Sequence, residues 1–175
     1  MGSDERTAQL LGALALALAD RAGAAVESDA GLAGSDAAAL VTLRNYAEGE
    51  PLDLLRRALA LSHPGVVRLA DRLQARGLVA RHRSERDGRA VALRLTAAGR
   101  RAADAALAAR GEAIGAALAT LEPAQRRALA PMLERMLGAQ TTDSTASLVI
   151  CRMCDADVCG HPDRCPVTQA AIALA

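Results

Sequence analysis

The chain has 175 residues, enough for one compact domain and a small appendage, and 51% of them are hydrophobic although Phe and Trp are absent and Tyr46 is the only aromatic residue. Its apolar mass is Ala, Leu and Val, which favours helix and excludes a core built on aromatic rings. Side chains this small bury little area each, so a large helical interface between two copies is a natural way to complete the core. The net charge of +1 selects no partner, but all 21 basic residues are arginine and they are unevenly placed. Ser62 to Arg101 holds ten of them against Asp71, Glu85 and Asp87, while the rest carries eleven arginines against seventeen carboxylates. A basic segment between acidic flanks is the footprint of a polyanion-binding face; composition alone leaves a solvated helix face as the alternative.

In chain order, the first helix is expected from about Thr7 to Val26, with Leu11, Leu14 and Leu18 on one face. The longest apolar run inside it, Leu10 to Ala19, is half the length of a membrane span, and Asp4, Glu5 and Asp20 around it argue against an export signal. Gly31 to Gly34 reads as a loop, Ser35 and Asp36 as an N-cap, and Ala37 to Ala47 as a second helix ending near Gly49. Glu50-Pro51 breaks the chain before a short third helix, Leu52 to Ala60. Ser62 caps a fourth, His63 to about Arg76, closed by Gly77. The period then changes: Leu78 to Arg83 and Arg89 to Leu95 read as strands joined by the polar turn Ser84-Glu85-Arg86-Asp87-Gly88. Thr96 caps a fifth helix running to about Leu121, with Leu107, Ile114, Leu118 and Leu121 on one stripe, and Pro123 opens a sixth that ends at Gly138. Its Met132 and Met136 read as dimer core.

A short turn between the third and fourth helices, followed by a two-stranded ribbon, is the order of a helix-turn-helix with a wing. The expected fold is mainly α with a small β-wing and a helical dimerisation region. Val66, Leu69, Ala70 and Leu73 form the inward stripe of the fourth helix, leaving His63, Gly65, Val67, Arg68, Arg72 and Arg76 outward. Arg68 is suited to pair bidentately with guanine, His63 to donate to a base or phosphate, and Val67 to touch a thymine methyl. Arg72 and Arg76, further along, are expected at phosphate. Of the wing arginines Arg81, Arg83, Arg86 and Arg89, one at the hairpin tip can enter a narrow minor groove, with Asp87 as a brace that orients an arginine.

The stretch Leu61-Ser62, Val66, Arg68-Leu69, Asp71-Arg72-Leu73, Arg76-Gly77-Leu78-Val79 and Arg81 resembles the recognition helix and first wing strand of the MarR family of transcription regulators. Asp87-x-Arg89 and Leu95-Thr96-x-x-Gly99 resemble that family's wing and the start of its dimerisation helix. The resemblance covers roughly residues 7 to 140. It implies a homodimer knit by the first, fifth and sixth helices with the two winged lobes beneath, and such a dimer is expected to bind a palindromic operator, one recognition helix per half-site. It also implies groove-reading positions at Ser62, His63, Gly65, Val67 and Arg68, and a minor-groove arginine at Arg86 or Arg89. The chain departs from the family in carrying Arg56 where a small residue is usual and Ala60 where glycine is frequent.

Residues 1–140 are thus expected to form the winged domain, 141–147 a polar linker and 148–175 a separate tail. The tail holds all four cysteines, Cys151, Cys154, Cys159 and Cys165, spaced C-x2-C-x4-C-x5-C. Four thiolates at such spacing complete a tetrahedron around a metal, and a cytoplasmic location favours metal over disulfide. A zinc knuckle and an iron–sulfur cluster fit the spacing equally, and a thiol–disulfide switch between Cys151 and Cys154 is the third reading. His161 reads as a bystander. No catalytic set, P-loop or dinucleotide motif is present, so an enzyme is not expected. The function expected is a sequence-specific transcription regulator, a repressor responsive to metal or redox state or to a small-molecule effector. The alternative is a dimeric scaffold whose cysteine module docks a protein partner.

Overall fold

A computed structural model describes residues 2–174. Its elements are α1 (Ser3–Ala30), α2 (Gly34–Thr42) continued by a π-helical turn (Leu43–Ala47), α3 (Leu52–Ala58), α4 (His63–Ala75), β1 (Val79–Arg83), β2 (Val91–Leu95), α5 (Ala97–Leu118), α6 (Pro123–Ala139), α7 (Ser144–Cys151), α8 (Ala156–Cys159) and α9 (Pro166–Ala173). The expected mainly helical winged fold is the one observed.

α1 exceeds its expected limits because both ends have their own stop signals. At the start, Glu5 Oε2 accepts the Gly2 N–H at 3.1 Å, and Asp4 and Glu5 offset the helix dipole. At the end, Gly31 takes the left-handed conformation, φ 62°. The full helix is long and apolar enough to cross a membrane by length and composition. The uninterrupted run of apolar residues understates this, because a helix absorbs an occasional charge. α1 packs along α5, and only Ala22 and Val26 of it are buried.

α2 is the centre of the lobe, with every residue from Asp36 to Leu43 buried. Around it pack Val26, Leu32, Leu55, Val66, Leu69, Leu73, Val79, Leu93 and Leu107. The stripe expected on α4 is the buried one: Val66, Leu69, Ala70 and Leu73 are at most 1% exposed. Ser62 caps this helix by accepting the Gly65 N–H at 3.2 Å. The tight α3–α4 turn puts Ala60 in the left-handed region, φ 52°, where a Cβ crowds the following carbonyl.

The wing pairs β1 with β2 antiparallel, from Val79 opposite Leu95 to Arg83 opposite Val91. A third, unforeseen segment joins it: Pro51 bridges to Ala92 and the Gly49 N–H donates to the Leu93 carbonyl at 3.1 Å. Proline can sit there because this edge position needs no N–H. At the wing's base Thr96 donates to the Gly77 carbonyl at 2.7 Å and accepts the Gly99 N–H at 3.0 Å. Gly99 lies so close to β1 that a Cβ on it would fall 2.0 Å from the Leu78 carbonyl oxygen.

The tail departs from expectation in two ways. The linker expected at 141–147 shrinks, because Asp143 accepts the N–H groups of Thr145 and Ala146 at 2.7 and 2.8 Å and starts α7 one residue later. Nor is the tail detached. α7 packs on α3 and α9 on α6, and three side chains at the end of α2 bond its carbonyls. Thr42 donates to Arg152 at 3.4 Å, Asn45 to Cys154 at 2.8 Å, and Tyr46 to Leu148 at 3.4 Å.

Gly99→Ala should destabilise the chain by about 1–3 kcal/mol in urea unfolding, because backbone has to move to admit the methyl group. Ala60→Gly should stabilise it by about 0.5–1 kcal/mol, since relief of left-handed strain outweighs the entropy of the new glycine.

Candidate nucleic-acid interface and cysteine cavity

Burial of the α4 stripe turns the rest of that helix outward. Ser62, His63 and Arg68 are exposed, and Gly65 and Val67 half-buried, on the N-terminal half. His63 and Val67 share a cleft with Pro51 on one side and Ala90 and Val91 on the other, so the start of α4 and the wing border one surface.

Most arginines of the basic segment are neutralised within the fold. Arg72 and Arg76 both reach Asp36 at the start of α2, at 2.8 and 3.4 Å, and Arg76 also donates to the Gly31 carbonyl at 2.9 Å. Asp36 is only 6% exposed, so these two arginines, expected at phosphate, also serve as its partners within the fold while their side chains remain about half exposed. Arg81 pairs with Asp71 at 2.7 Å, Arg86 with Glu50 at 3.3 Å, Arg94 with Glu85, and Arg100 with Glu48 at 2.8 Å. Among the described residues of the helix and wing, Arg68, Arg83 and Arg89 have no carboxylate partner within salt-bridge distance. All three are exposed. They are the cations free to meet an external anion.

The wing tip is fixed by a residue the sequence reading passed over. Ser84 is 3% exposed; its hydroxyl donates to the Gly49 carbonyl at 3.1 Å and accepts the N–H groups of Arg86 and Asp87 at 3.2 and 3.4 Å. A serine closing a strand before a polar turn is the local signal for this arrangement. Asp87 is a brace, but through the main chain: it accepts the Arg89 N–H at 3.0 Å, shaping the turn rather than aiming a guanidinium.

All four cysteines are free and line one cavity of about 300 Å3 between the tail and the lobe, with Tyr46, Leu54 and Leu148 as its apolar wall. His161 also lines it, but its Nδ1 is 3.0 Å from the Thr168 hydroxyl. Among the described residues no three His, Cys, Asp or Glu side chains form a ready-made metal cage. The thiols are nevertheless neighbours: Cys151 interacts with Cys154 and Cys165, and Cys159 with Cys165. Their chemistry differs accordingly. A hydrogen bond from Cys151 lowers Cys154 to about 6, aided by the fields of Arg110 and Arg152 against the cost of burial. Cys151 is pushed up by that same partnership and by burial. Burial raises Cys159 to about 11. At Cys165 burial opposes ionisation, but hydrogen bonds from Thr168 and Cys159 bring it below the ordinary thiol range. Tyr46 is raised to about 12, chiefly by burial.

Comparison with known proteins places this architecture. The sequence model of the MarR family matches residues 52–90, the span of α3, α4, β1 and the wing turn. No curated protein matches the chain. A probable transcriptional regulator from Pseudomonas aeruginosa is similar, with 31% identity, TM-score 0.55, and 71% of this chain and 95% of that one covered. The Mycobacterium tuberculosis MarR family protein Rv2887, solved in complex with DNA, is 26% identical, with TM-score 0.61 and coverage of 74% and 95%. CouR from Rhodococcus jostii RHA1, solved bound to p-coumaroyl-CoA, is 25% identical, with TM-score 0.58 and coverage of 73% and 88%. With the helix-turn-helix, its wing and an unpaired arginine face already in place, these likenesses identify the chain as a member of the MarR family of DNA-binding transcription regulators, which are not enzymes.

Proposed function

We propose that the chain is a cytoplasmic, homodimeric repressor of a palindromic operator, with its four cysteines as the signal site. The observation that carries the DNA-reading part is that, among the described residues of α4 and the wing, Arg68, Arg83 and Arg89 are exposed and without a carboxylate partner. Arg68 reads guanine from the major groove, with Ser62, His63, Gly65 and Val67 around it. Arg89 is the better-placed minor-groove arginine of the two considered, because Arg86 is engaged by Glu50.

A second copy is the natural cover for apolar surface left open in a single chain. Leu10, Leu14 and Leu16 of α1 and Met132, Leu133 and Met136 of α6 are between 41% and 69% exposed, and no residue of α6 is buried. Such a surface is costly in water. Two-fold association through these helices sets two α4 helices about one turn of duplex apart, which is what a palindrome requires. CouR's complex with p-coumaroyl-CoA makes a small organic effector a further possible input to this scaffold.

At the signal site, Cys151, Cys154, Cys159 and Cys165 would hold a thiolate-bound metal, either zinc or an iron–sulfur cluster. The support is the gathering of all four at one cavity. Metal binding would draw the thiols to a common centre and supply folding energy to the tail.

Anisotropy titration with DNA from upstream of its own gene tests the regulator. Affinity should exceed that for scrambled DNA by at least a hundredfold, with two subunits per duplex and a steep salt dependence. Arg68→Ala and Arg89→Ala should each lower it by about 10- to 100-fold. Equal affinity for scrambled DNA would overturn the reading and favour a scaffold that docks a protein partner. For the signal site, elemental analysis and a visible spectrum of anaerobically purified protein should give stoichiometric zinc without colour, or iron and sulfide with a brown absorbance. Metal-free protein with a Cys151–Cys154 disulfide would replace the metal reading with a thiol switch.

A further inference from the structure

We infer that the cysteine-bearing tail is a positioning element for the DNA-binding wing: it grips the π-helical end of α2, and the residues directly after that turn carry the wing. Asn45 is the positioning residue at the grip. The inference rests on the proposed reading that the wing meets DNA through Arg89. The stretch from Thr42 to Pro51 is bonded to the tail in its first half and to the wing in its second. In the first half, Thr42 donates to the Arg152 carbonyl at 3.4 Å, Asn45 to the Cys154 carbonyl at 2.8 Å and Tyr46 to the Leu148 carbonyl at 3.4 Å. In the second half, Glu48 accepts the Leu95 N–H at 2.9 Å at the end of β2. The Gly49 N–H donates to the Leu93 carbonyl, and the Gly49 carbonyl accepts the Ser84 hydroxyl, both at 3.1 Å. Glu50 pairs with Arg86 of the wing turn at 3.3 Å, and Pro51 bridges to Ala92.

The π-helical turn (Leu43–Ala47) between the two halves makes them move together. Such turns are rare and recur at functional positions in helices. A π turn spans one residue more than an α turn, so its relaxation to α geometry displaces the residues that follow by about one helical position, a rise of about 1.5 Å. Arg44 ties the turn to Asp104 of α5 at 2.6 Å, which gives it one fixed side. The tail gives it the other, and the shortest of the three tail bonds is that of Asn45. A displacement of that size is more than a hydrogen bond tolerates, so Gly49 would leave both Leu93 and Ser84. Ser84 in turn accepts the N–H groups of Arg86 and Asp87, and Asp87 accepts the Arg89 N–H at 3.0 Å. The chain of bonds that begins at the tail therefore ends at the backbone of the arginine that meets DNA.

Asn45→Asp keeps the shape of the side chain and the oxygen that accepts from Arg44, but sets a carboxylate against the Cys154 carbonyl, which repels it. In full-length protein purified under reducing conditions, hydrogen exchange read by mass spectrometry should quicken in the tail, in residues 48–51 and in the wing, while the buried stripe of α4 keeps its protection. Operator affinity should fall by about tenfold, the loss of one arginine contact. Combined with Arg89→Ala the losses should not multiply, because the wing contact is already gone, and the double variant should match Arg89→Ala within about twofold. Combined with Arg68→Ala they should multiply in full. Tyr46→Phe together with Thr42→Val removes the two longer bonds with little change of shape; it should move the same peptides, lower affinity by about threefold, and carry the test if Asn45→Asp does not fold. Faster exchange confined to the tail, or losses that multiply with Arg89→Ala as they do with Arg68→Ala, would overturn the inference. Equal affinity of the wild type for operator and scrambled DNA would overturn the regulator reading instead, and the exchange measurement would still decide whether tail and wing are coupled.

Discussion

The recognition helix has a single apolar stripe, and its burial determines where every other side chain of α4 points. Val66, Leu69, Ala70 and Leu73 are sealed against α2 and the base of the wing. With 3.6 residues per turn, that leaves Ser62, His63 and Arg68 no direction but outward. Asp36 then fixes the helix against sliding or rolling, because a carboxylate almost out of water is compensated by Arg72 and Arg76 in this placement alone. Losing one member of such a set costs more than its formation returned, since the others are left partly desolvated without a partner.

A core without aromatic rings has consequences at larger scale. Alanine and glycine at contact points bring backbones together, as where Gly99 meets the Leu78 carbonyl and where Ala103 and Ala106 of α5 are fully buried. Small residues fill a narrow lobe well but cannot reach across to a distant helix. α6 is accordingly uncovered on the apolar side that carries Met132, Leu133 and Met136. The composition that packs one lobe tightly is also what leaves the rest of the apolar surface uncovered in a single chain.

The cysteine-bearing tail joins regions that otherwise share little contact. α9 rests on α6, α7 on α3, and Tyr46, Asn45 and Thr42 bond its carbonyls from the end of α2. A module so placed touches both α6, with its exposed apolar side, and the lobe that carries α4 and the wing. The thiols therefore lie a short way from each through packed elements.

The sequence by itself determined the features that depend on neighbours along the chain. These were the stripe on α4, the caps at Ser62 and Thr96, the stop at Gly77, the hairpin around Asp87-Gly88 and the family to which they belong. Each is a local rule of periodicity or turn chemistry, so each was readable without coordinates. Tertiary structure alone decided which arginines stay free. The partners that neutralise Arg72, Arg86 and Arg100 lie 36 to 52 residues away in sequence, and no spacing rule connects them. It also decided that Pro51 lends the wing a third segment, and that the tail folds back on the lobe instead of trailing from a linker. Long-range pairing is fixed by which surfaces the packed core brings within a few ångströms, and that is a property of the whole chain rather than of any stretch of it.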